Sequence, residues 1–171
     1  MKSIFLVSVI IAMYFGGILK LIFFNYTKRT IHKITFIKEP LDKIMSFGMP
    51  IFELTVPTLF LVFGENIYLY SLTTMYYFVF IAMNLTSMYD DVDCCCYGKL
   101  LKSKLGLGGV VHYLYFLCIN VLAIYCYNFN GRIIYIKIQE NICVRCGMAL
   151  LVCICGLMYR RVLELVVNIR D

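Results

Sequence analysis

The residues best suited to chemistry lie together at positions 90–99, which hold three carboxylates, three consecutive thiols and one glycine. A disulfide between Cys94 and Cys96 would close a very small ring and would therefore be strained. Strain raises the reduction potential of a disulfide and makes thiol exchange easier. The pattern favours a redox-active pair over a structural cross-link, with Cys95 as a third thiol between the two.

Other interpretations of these thiols stay open. Cysteines beside a membrane are also sites of palmitoylation, so the segment is compatible with an ordinary polar loop that carries lipidated or incidental cysteines. Cys94 and Cys96 could bind a metal together with a distant thiol, although we expect no metal site. Aspartates before the thiols disfavour the thiolate, and lysines after them favour it.

Long apolar runs flank the cysteine segment and must position it. Residues 66–89 carry no charge, and residues 105–131 carry only His112. A helix of 24 residues reaches about 36 Å, enough to cross a hydrocarbon core of about 30 Å. With 62% hydrophobic and 15% charged residues, the chain is also too apolar for a soluble domain of its size. We therefore predict a loop at a membrane surface, held between two spanning helices.

The same patterning applied to the whole chain predicts an all-α, polytopic bundle of four to five transmembrane helices in the cell membrane. We divide it into a four-helix membrane domain, residues 1–128, and a segment of residues 129–171. The second segment combines an interfacial stretch, a predicted fifth transmembrane helix and a short basic tail. The predicted spans cover residues 3–25, about 44–64, 67–89, about 107–128 and 142–159.

The connections between spans are basic and partly apolar. Residues 26–43 mix five cations with apolar side chains and suit an interfacial segment. Polar and apolar side chains alternate in residues 132–138, which predicts a short interfacial strand or helix. Residues 160–171 are typical of an amphipathic tail. Lys20 lies near the end of the first span, where a long side chain can snorkel to the membrane surface.

Glu53 is the one carboxyl group that the pattern places near the middle of a span. An ionised side chain there costs roughly several kcal/mol. Pro50, Glu53 and Pro57 share one helix face, and Pro57 cannot donate to the Glu53 carbonyl. We expect this face to point into the bundle, because lipid satisfies neither group. Two interpretations of Glu53 stay open: a structural carboxyl group that bridges helices, and a functional one.

Six further cysteines and one histidine occur in the predicted spans or beside them. Cys143 and Cys146 form a C-x-x-C at the start of an apolar run, which predicts either a second redox pair that exchanges with Cys94 and Cys96 or small residues at a helix start. His112 is expected to be a buried, hydrogen-bonded side chain. The remaining four are expected to pack or to face lipid: Cys118, Cys126, Cys153 and Cys155.

Three short motifs resemble the MauE family, membrane proteins named for methylamine utilisation and grouped with DoxX-like proteins. Gly17-Ile18-Leu19-Lys20-Leu21 is similar to the family's G-x-x-K-L, and Pro50-Ile51-Phe52-Glu53-Leu54 resembles its P-x-x-E-L. Asp93-Cys94-Cys95-Cys96-Tyr97-Gly98 resembles D-C-G-C-F-G, with Cys95 in place of glycine and Tyr97 in place of phenylalanine. The matches occur in the family's order and cover roughly residues 10–127.

The resemblance implies thiol redox chemistry on a bundle of four or five helices. Family members are thought to work with thioredoxin-like partners in maturing the disulfide-rich small subunit of methylamine dehydrogenase. Carried over, this predicts an integral membrane thiol redox and maturation component whose site residues are Cys94, Cys95, Cys96 and Glu53. The extra thiol leaves open which two of the three cysteines pair.

Two functions from different classes follow. The first is a relay that passes electrons between a thioredoxin-like protein and a membrane carrier, with a quinone as the candidate cofactor. The second is a non-catalytic membrane assembly or immunity factor whose loop docks another protein. Whether the chain is an enzyme stays undecided at this point.

The net charge of +6 lies in short loops beside lipid headgroups, so we expect membrane lipid and no nucleic acid as a partner.

The side of the membrane that holds the thiols is a separate question. The first connection and the cysteine segment carry eight Lys and Arg, whereas the opposite side has little beyond Lys2, Arg132 and Lys137. The positive-inside rule therefore places the thiols in the cytoplasm. A disulfide-forming role requires the oxidising outside, which the resemblance favours.

Overall fold

The computed structural model describes residues 4–34, 40–86, 107–128 and 142–168. This part of the chain forms six helices and no strand, which confirms the predicted all-α bundle. The helices are α1 (Ile4–Ile22), α2 (Phe24–Ile34), α3 (Leu41–Phe63), α4 (Ile67–Thr86), α5 (Leu107–Asn128) and α6 (Ile142–Asn168).

Helix α1 lies at the centre of the bundle, where it packs against α3, α5 and α6, while α4 packs mainly against α5. The hydroxyls of Tyr14 and Thr58 share a hydrogen bond of 2.8 Å, so the middle of α1 lies beside the second half of α3. The Asn120 amide donates to the Thr74 hydroxyl at 2.8 Å and ties α5 to α4. Contacts between successive long helices pair later residues of one helix with earlier residues of the next, so α1, α3, α4 and α5 run antiparallel in turn.

Polar side chains are inside the bundle and large apolar side chains cover much of its outside. Phe15, Phe63, Phe78 and Ile154 are examples of exposed apolar residues. Lipid accepts apolar side chains and cannot satisfy polar ones, so this distribution suits a bundle in a membrane. The buried polar side chains of the spans include Ser8, Lys20, Ser46, Glu53, Thr73, Asn84, His112 and Asn120.

Three helical segments of the described chain are long and apolar enough to cross a membrane: Ile4–Ile22, Lys43–Phe63 and Gly108–Asn128. They correspond to the first, second and fourth predicted spans. The third predicted span forms a helix, α4, but is not among these three. It is uncharged, and its tyrosines, threonines and Asn84 make it more polar. Most of those polar side chains face the bundle, where Tyr70, Thr73, Tyr76, Tyr77 and Asn84 are buried.

The first predicted span ends earlier than expected, because the chain turns at Phe23. α1 ends one residue before it and α2 begins one residue after it. The Phe23 amide donates to the Leu19 carbonyl at 2.9 Å, and its carbonyl accepts from the Thr27 amide at 3.1 Å. α2 is amphipathic, with Arg29 and Lys33 exposed and Thr27 buried. A helix of this kind agrees with the interfacial character predicted for residues 26–43.

The predicted fifth span and residues 160–168 of the predicted tail form one continuous helix, α6. Its apolar part, Cys146–Tyr159, is shorter than the three candidate spans. α6 contacts both α1 and α5, although the division of the chain at residue 128 stays a prediction. The Tyr115 hydroxyl donates to the Val152 carbonyl at 2.8 Å, which holds the Tyr115 ring against α6. The predicted element at residues 132–138 lies outside the described residues.

The substitution Gly156→Ala should weaken the packing of α6 against α5. A Cβ atom added at Gly156 would lie 2.6 Å from Cε1 of Tyr115, so one helix must move. Overpacking of this kind costs about 1–3 kcal/mol. Thermal melting in detergent should show a lower melting temperature than wild type.

Gly147→Ala is the matched control on the same helix, because no atom lies within 4 Å of the added Cβ there. We expect an unchanged or slightly raised melting temperature, since alanine favours a helix over glycine by about 1 kcal/mol. Equal melting temperatures for the two variants would contradict the packing of α6 described above.

Candidate functional site

The cysteine segment itself lies outside the described residues, so the roles of Cys94, Cys95 and Cys96 stay predictions. The described chain stops before it at Thr86, the end of α4, and resumes after it at Leu107, the start of α5. The site that can be built from contacts is the interior of the bundle between these helices, α1 and α3.

Glu53 occupies the middle of α3 and is 4% exposed. Pro50 and Pro57, which share its face, are also buried, and α3 continues through both prolines. The expectation that this face points into the bundle is confirmed. The physical reason is that a carboxyl group near the middle of an apolar helix has no partner in lipid.

Lys20 is the partner of Glu53, and here the sequence-based expectation was wrong. Its side chain does not snorkel to the membrane surface but is 1% exposed in the bundle. The Lys20 ammonium donates to Oε1 of Glu53 and forms a salt bridge between α1 and α3. The lysine turns inward because the buried Glu53 carboxylate would otherwise be an uncompensated charge in the bundle.

Tyr76 completes the cluster from α4, and no motif pointed to it. Its hydroxyl donates to Oε1 of Glu53, the same oxygen that accepts from Lys20. The Tyr76 ring stacks on Phe52 with centroids 5.1 Å apart and planes 12° apart. The Lys20 ammonium also lies 5.2 Å from the centroid of the Phe80 ring, in cation–π range. Four tyrosines in α4 gave the sequence no means of choosing this one.

Two glycines of α1 lie against Glu53, and Gly17 allows the close approach of α1 and α3. A Cβ atom at Gly17 would lie 3.1 Å from Cβ of Glu53 and 3.1 Å from Cδ2 of Leu54. A Cβ atom at Gly16 would lie 3.4 Å from Oε2 of Glu53. Thus the segment Gly17–Leu21 packs directly on the segment Pro50–Leu54, and the lysine of the first is paired with the glutamate of the second.

A small cavity lies beside the carboxyl group of Glu53, with a volume of about 20 Å³. Oε2 of Glu53 is buried and has no hydrogen-bond partner among the described residues. The Lys20 and Glu53 charges balance each other, so the cluster can hold a buried ion pair, and the carboxyl group keeps one oxygen for a further donor. The walls come from α1, α3, α4 and α5: Ala12, Met13, Gly16, Glu53, Tyr76, Tyr77, His112, Tyr113 and Phe116.

The second predicted thiol pair, Cys143 and Cys146, lies at the end of the bundle opposite to the helix ends that flank the cysteine segment. The Ser8 hydroxyl of α1 is 3.5 Å from the Ala149 carbonyl, and the Cys153 thiol is 3.4 Å from the Ser8 carbonyl. α6 therefore runs in the same direction as α1 and begins where α5 ends. Cys143 and Cys146 are exposed in its first turns. The 22 residues of α5, about 33 Å, separate this end from the helix ends that flank the cysteine segment.

The remaining predicted side chains fall on both faces of their helices. Cys118 and Cys155 are exposed, Cys126 is partly buried and Cys153 is buried. This agrees with the expected mixture of lipid-facing and packing cysteines. His112 is 4% exposed and lines the cavity, as expected for a buried histidine. Among the described residues, no three histidine, cysteine or acidic side chains are grouped as a metal site would require.

Comparison with known proteins places this arrangement in a family. Residues 2–126 match the family model described as methylamine utilisation protein MauE. The match covers α1 to α5 and includes Lys20, Glu53 and Tyr76. No curated protein matches the chain, and no solved structure matches it.

Lys20→Met should destabilise the protein strongly, because it leaves the Glu53 carboxylate buried without its cation. Loss of one member of a buried ion pair costs about 3–5 kcal/mol. Adding Glu53→Gln to Lys20→Met should recover stability, since a neutral amide still accepts a hydrogen bond from Tyr76. Thermal melting in detergent measures both effects, with Lys33→Met on the exposed face of α2 as the control.

The ion pair would be contradicted if Lys20→Met melted at the same temperature as Lys33→Met.

Glu53→Gln alone should also preserve packing better than Glu53→Ala. The difference should be about 0.6–2 kcal/mol, the usual net worth of an interhelical hydrogen bond in a membrane. Equal stability of these two variants would show that no hydrogen bond at position 53 matters.

Proposed function

The chain belongs to the MauE family, and from this premise we propose that it is an integral membrane component of thiol redox chemistry in protein maturation. In this proposal Cys94 and Cys96 exchange electrons with a thioredoxin-like protein, and a membrane carrier takes or supplies the electrons on the other side of the cycle. The family description connects the chain with methylamine utilisation. The physiological substrate is then a disulfide-containing protein of such a pathway.

The observation that carries the proposal is the junction of the family's first two motifs in the bundle interior. Lys20 and Glu53 belong to these two motifs and form one buried ion pair. Tyr76 binds the same carboxylate from α4, the helix that leads into the third motif with its three thiols. The ion pair and the Tyr76 hydrogen bond thus hold together α1, α3 and α4, the last of which leads into the cysteine segment. Rigid support is what a small exchange-active disulfide needs for its two sulfurs to meet a partner repeatedly.

The exchange is a two-electron cycle that balances without further groups on the protein. One thiolate of the reduced pair attacks the partner's disulfide and forms a mixed disulfide, with loss of one partner sulfur as thiolate. The second thiol of the pair then attacks its neighbour, releases the reduced partner and leaves Cys94 and Cys96 oxidised. Two electrons go to the partner. Return of the pair to the dithiol takes two electrons and two protons from a reduced membrane carrier of lower reduction potential. Run in reverse, the same steps oxidise the partner, and a quinone is the candidate that then takes the two electrons and two protons from the pair.

The direction of α6 supports an orientation in a multi-pass topology. Its C-terminal end lies on the same side as the helix ends that flank the cysteine segment, so Arg160 and Arg161 add to the eight cations predicted for that side. Ten of the sixteen Lys and Arg are then assigned to that side and four to the other, while Lys20 is buried and Arg170 lies outside the described residues. The positive-inside rule favours a cytoplasmic cysteine segment. The four on the opposite side are Lys2, Arg132, Lys137 and Arg145.

Cys143 and Cys146 fit the proposal as a second pair on the opposite membrane face. They are three residues apart on α6, where Cβ atoms are about 5–6 Å from each other. A disulfide needs about 3.5–4.5 Å, so the first turn of α6 must adjust slightly to close one. Electrons would reach this pair through a carrier and not by direct exchange with Cys94 and Cys96, because the length of the bundle lies between them.

The relay predicts distinct behaviour for each of the three clustered thiols. Cys95→Gly restores the family pattern and should leave redox cycling intact. Cys94→Ser and Cys96→Ser should abolish cycling, because a lone thiol forms a mixed disulfide but cannot resolve it. These variants should instead trap a thioredoxin-like partner as an adduct visible on non-reducing gels. Cys118→Ser, on an exposed face of α5, is the control and should behave as wild type.

Redox cycling would be excluded if all three thiols stayed reduced with every donor and the serine variants supported the same phenotype as wild type. That result would favour the non-catalytic assembly or immunity factor, whose loop docks a protein without changing its thiols.

The proposed orientation predicts opposite labelling of the two cysteine groups. In intact cells, a membrane-impermeant maleimide should modify a variant whose sole cysteine is Cys143. A variant with Cys96 alone should react only after the cells are permeabilised. Both variants should react equally in detergent, which controls for reactivity. Labelling of both in intact cells, or of Cys96 alone, would contradict the topology drawn from α6 and from the charges.

A further inference from the structure

The unused oxygen of Glu53 is the starting point for an inference that does not depend on the redox function. Oε2 is buried, and among the described residues it has no hydrogen-bond partner, whereas Oε1 accepts from both Lys20 and Tyr76. A buried carboxylate oxygen without a donor has lost its hydration and gained no hydrogen bond in return. A donor at Oε2 would therefore be bound with a sizeable gain.

The charge of the cluster restricts what that donor is. Lys20 already neutralises Glu53, and its ammonium is also in contact range of the Phe80 ring. A second cation would leave a net positive charge in the bundle interior, which is costly in a medium of low polarity. The site therefore favours a neutral donor.

The size of the cavity restricts the donor further. Its volume of about 20 Å³ exceeds the roughly 10–15 Å³ that one water molecule requires, so the cavity suits a donor of that size. Gly16 forms part of the wall next to Oε2, where a Cβ atom would lie 3.4 Å from that oxygen. The glycine thus keeps open the space beside the carboxyl group.

A bound water also needs more than one polar neighbour, and the opposite wall supplies them. His112 and Tyr113 of α5 and Tyr77 of α4 line the same cavity as Glu53. Their ring nitrogens and hydroxyls can exchange hydrogen bonds with a small donor. Among the described residues α3 and α5 share few direct contacts, so a bridge here would connect two helices that otherwise meet little.

We propose that the cavity beside Glu53 is a binding site for one water molecule, which donates to Oε2 and bridges α3 to the polar wall of α5. The site extends the ion pair into a chain from Lys20 through Glu53 and the water towards His112. It makes Gly16 a specificity-determining residue, because any side chain there takes the space of the ligand.

Radiolytic labelling of the wild-type protein in detergent tests the site directly. Hydroxyl radicals formed from an internal water oxidise the side chains beside it, including buried ones. Tyr77 lines the cavity and is 3% exposed, and Tyr70 on the same helix is 0% exposed and distant from it. We expect oxidation of Tyr77 to be several-fold faster than that of Tyr70. Equal rates would overturn the proposal without use of any variant.

Two substitutions at Gly16 distinguish a cavity that binds water from one that is empty. Gly16→Ala fills the site with a methyl group that cannot donate, so Tyr77 labelling should fall to the Tyr70 rate and the melting temperature should fall. Gly16→Ser also excludes the water but supplies a hydroxyl in its place. Labelling should fall equally, while the melting temperature should exceed that of Gly16→Ala by about 2–4 °C.

Unchanged Tyr77 labelling in either variant would contradict a water at this position. A melting temperature for Gly16→Ser at or below that of Gly16→Ala would show that Oε2 gains nothing from a donor. If neither variant folds, the wild-type comparison of Tyr77 with Tyr70 decides alone.

Discussion

A buried charge in a membrane bundle requires an opposite charge, and the pairing of Lys20 with Glu53 is the constraint on which the other features of this interior depend. The two side chains come from α1 and α3 and are almost entirely removed from the surface. Removal of either partner leaves an uncompensated charge, which costs far more than the pair itself contributes. The ion pair therefore specifies how the two helices lie against each other more than it adds to stability.

Close packing follows from that requirement. α1 and α3 pack closely where the Lys20 ammonium meets the Glu53 carboxylate, and Gly17 permits this approach because a Cβ atom there would lie only 3.1 Å from Cβ of Glu53. Tyr76 then brings α4 to the same carboxylate, and its ring stacks on Phe52. The polar face of α4 therefore points into the bundle. This orientation allows α4, a helix of moderate hydropathy, to pack in an otherwise apolar bundle.

The proposed chemistry and this interior have separate tasks. The thiols at positions 94–96 would carry the electrons, whereas the ion pair holds the helices from which their segment extends. α6, beyond the part of the chain that matches the family model, adds Cys143 and Cys146 at the opposite end of the bundle. In the proposed arrangement thiols lie near both membrane faces, and the ion pair of Lys20 and Glu53 lies in the bundle between them.

The amino-acid sequence by itself determined the helices, because the length and polarity of each apolar run decide what can cross a membrane. It also determined that Glu53 faces inward, since lipid cannot satisfy a carboxyl group. Only the tertiary structure decided that Lys20 is its partner and that Tyr76 joins them. Lys20 is 33 positions away in the chain, and a lysine near a helix end has the membrane surface as an equally simple alternative. The location of Cys143 likewise depended on the direction of α6, which follows from its contacts with α1 and α5 and not from spacing.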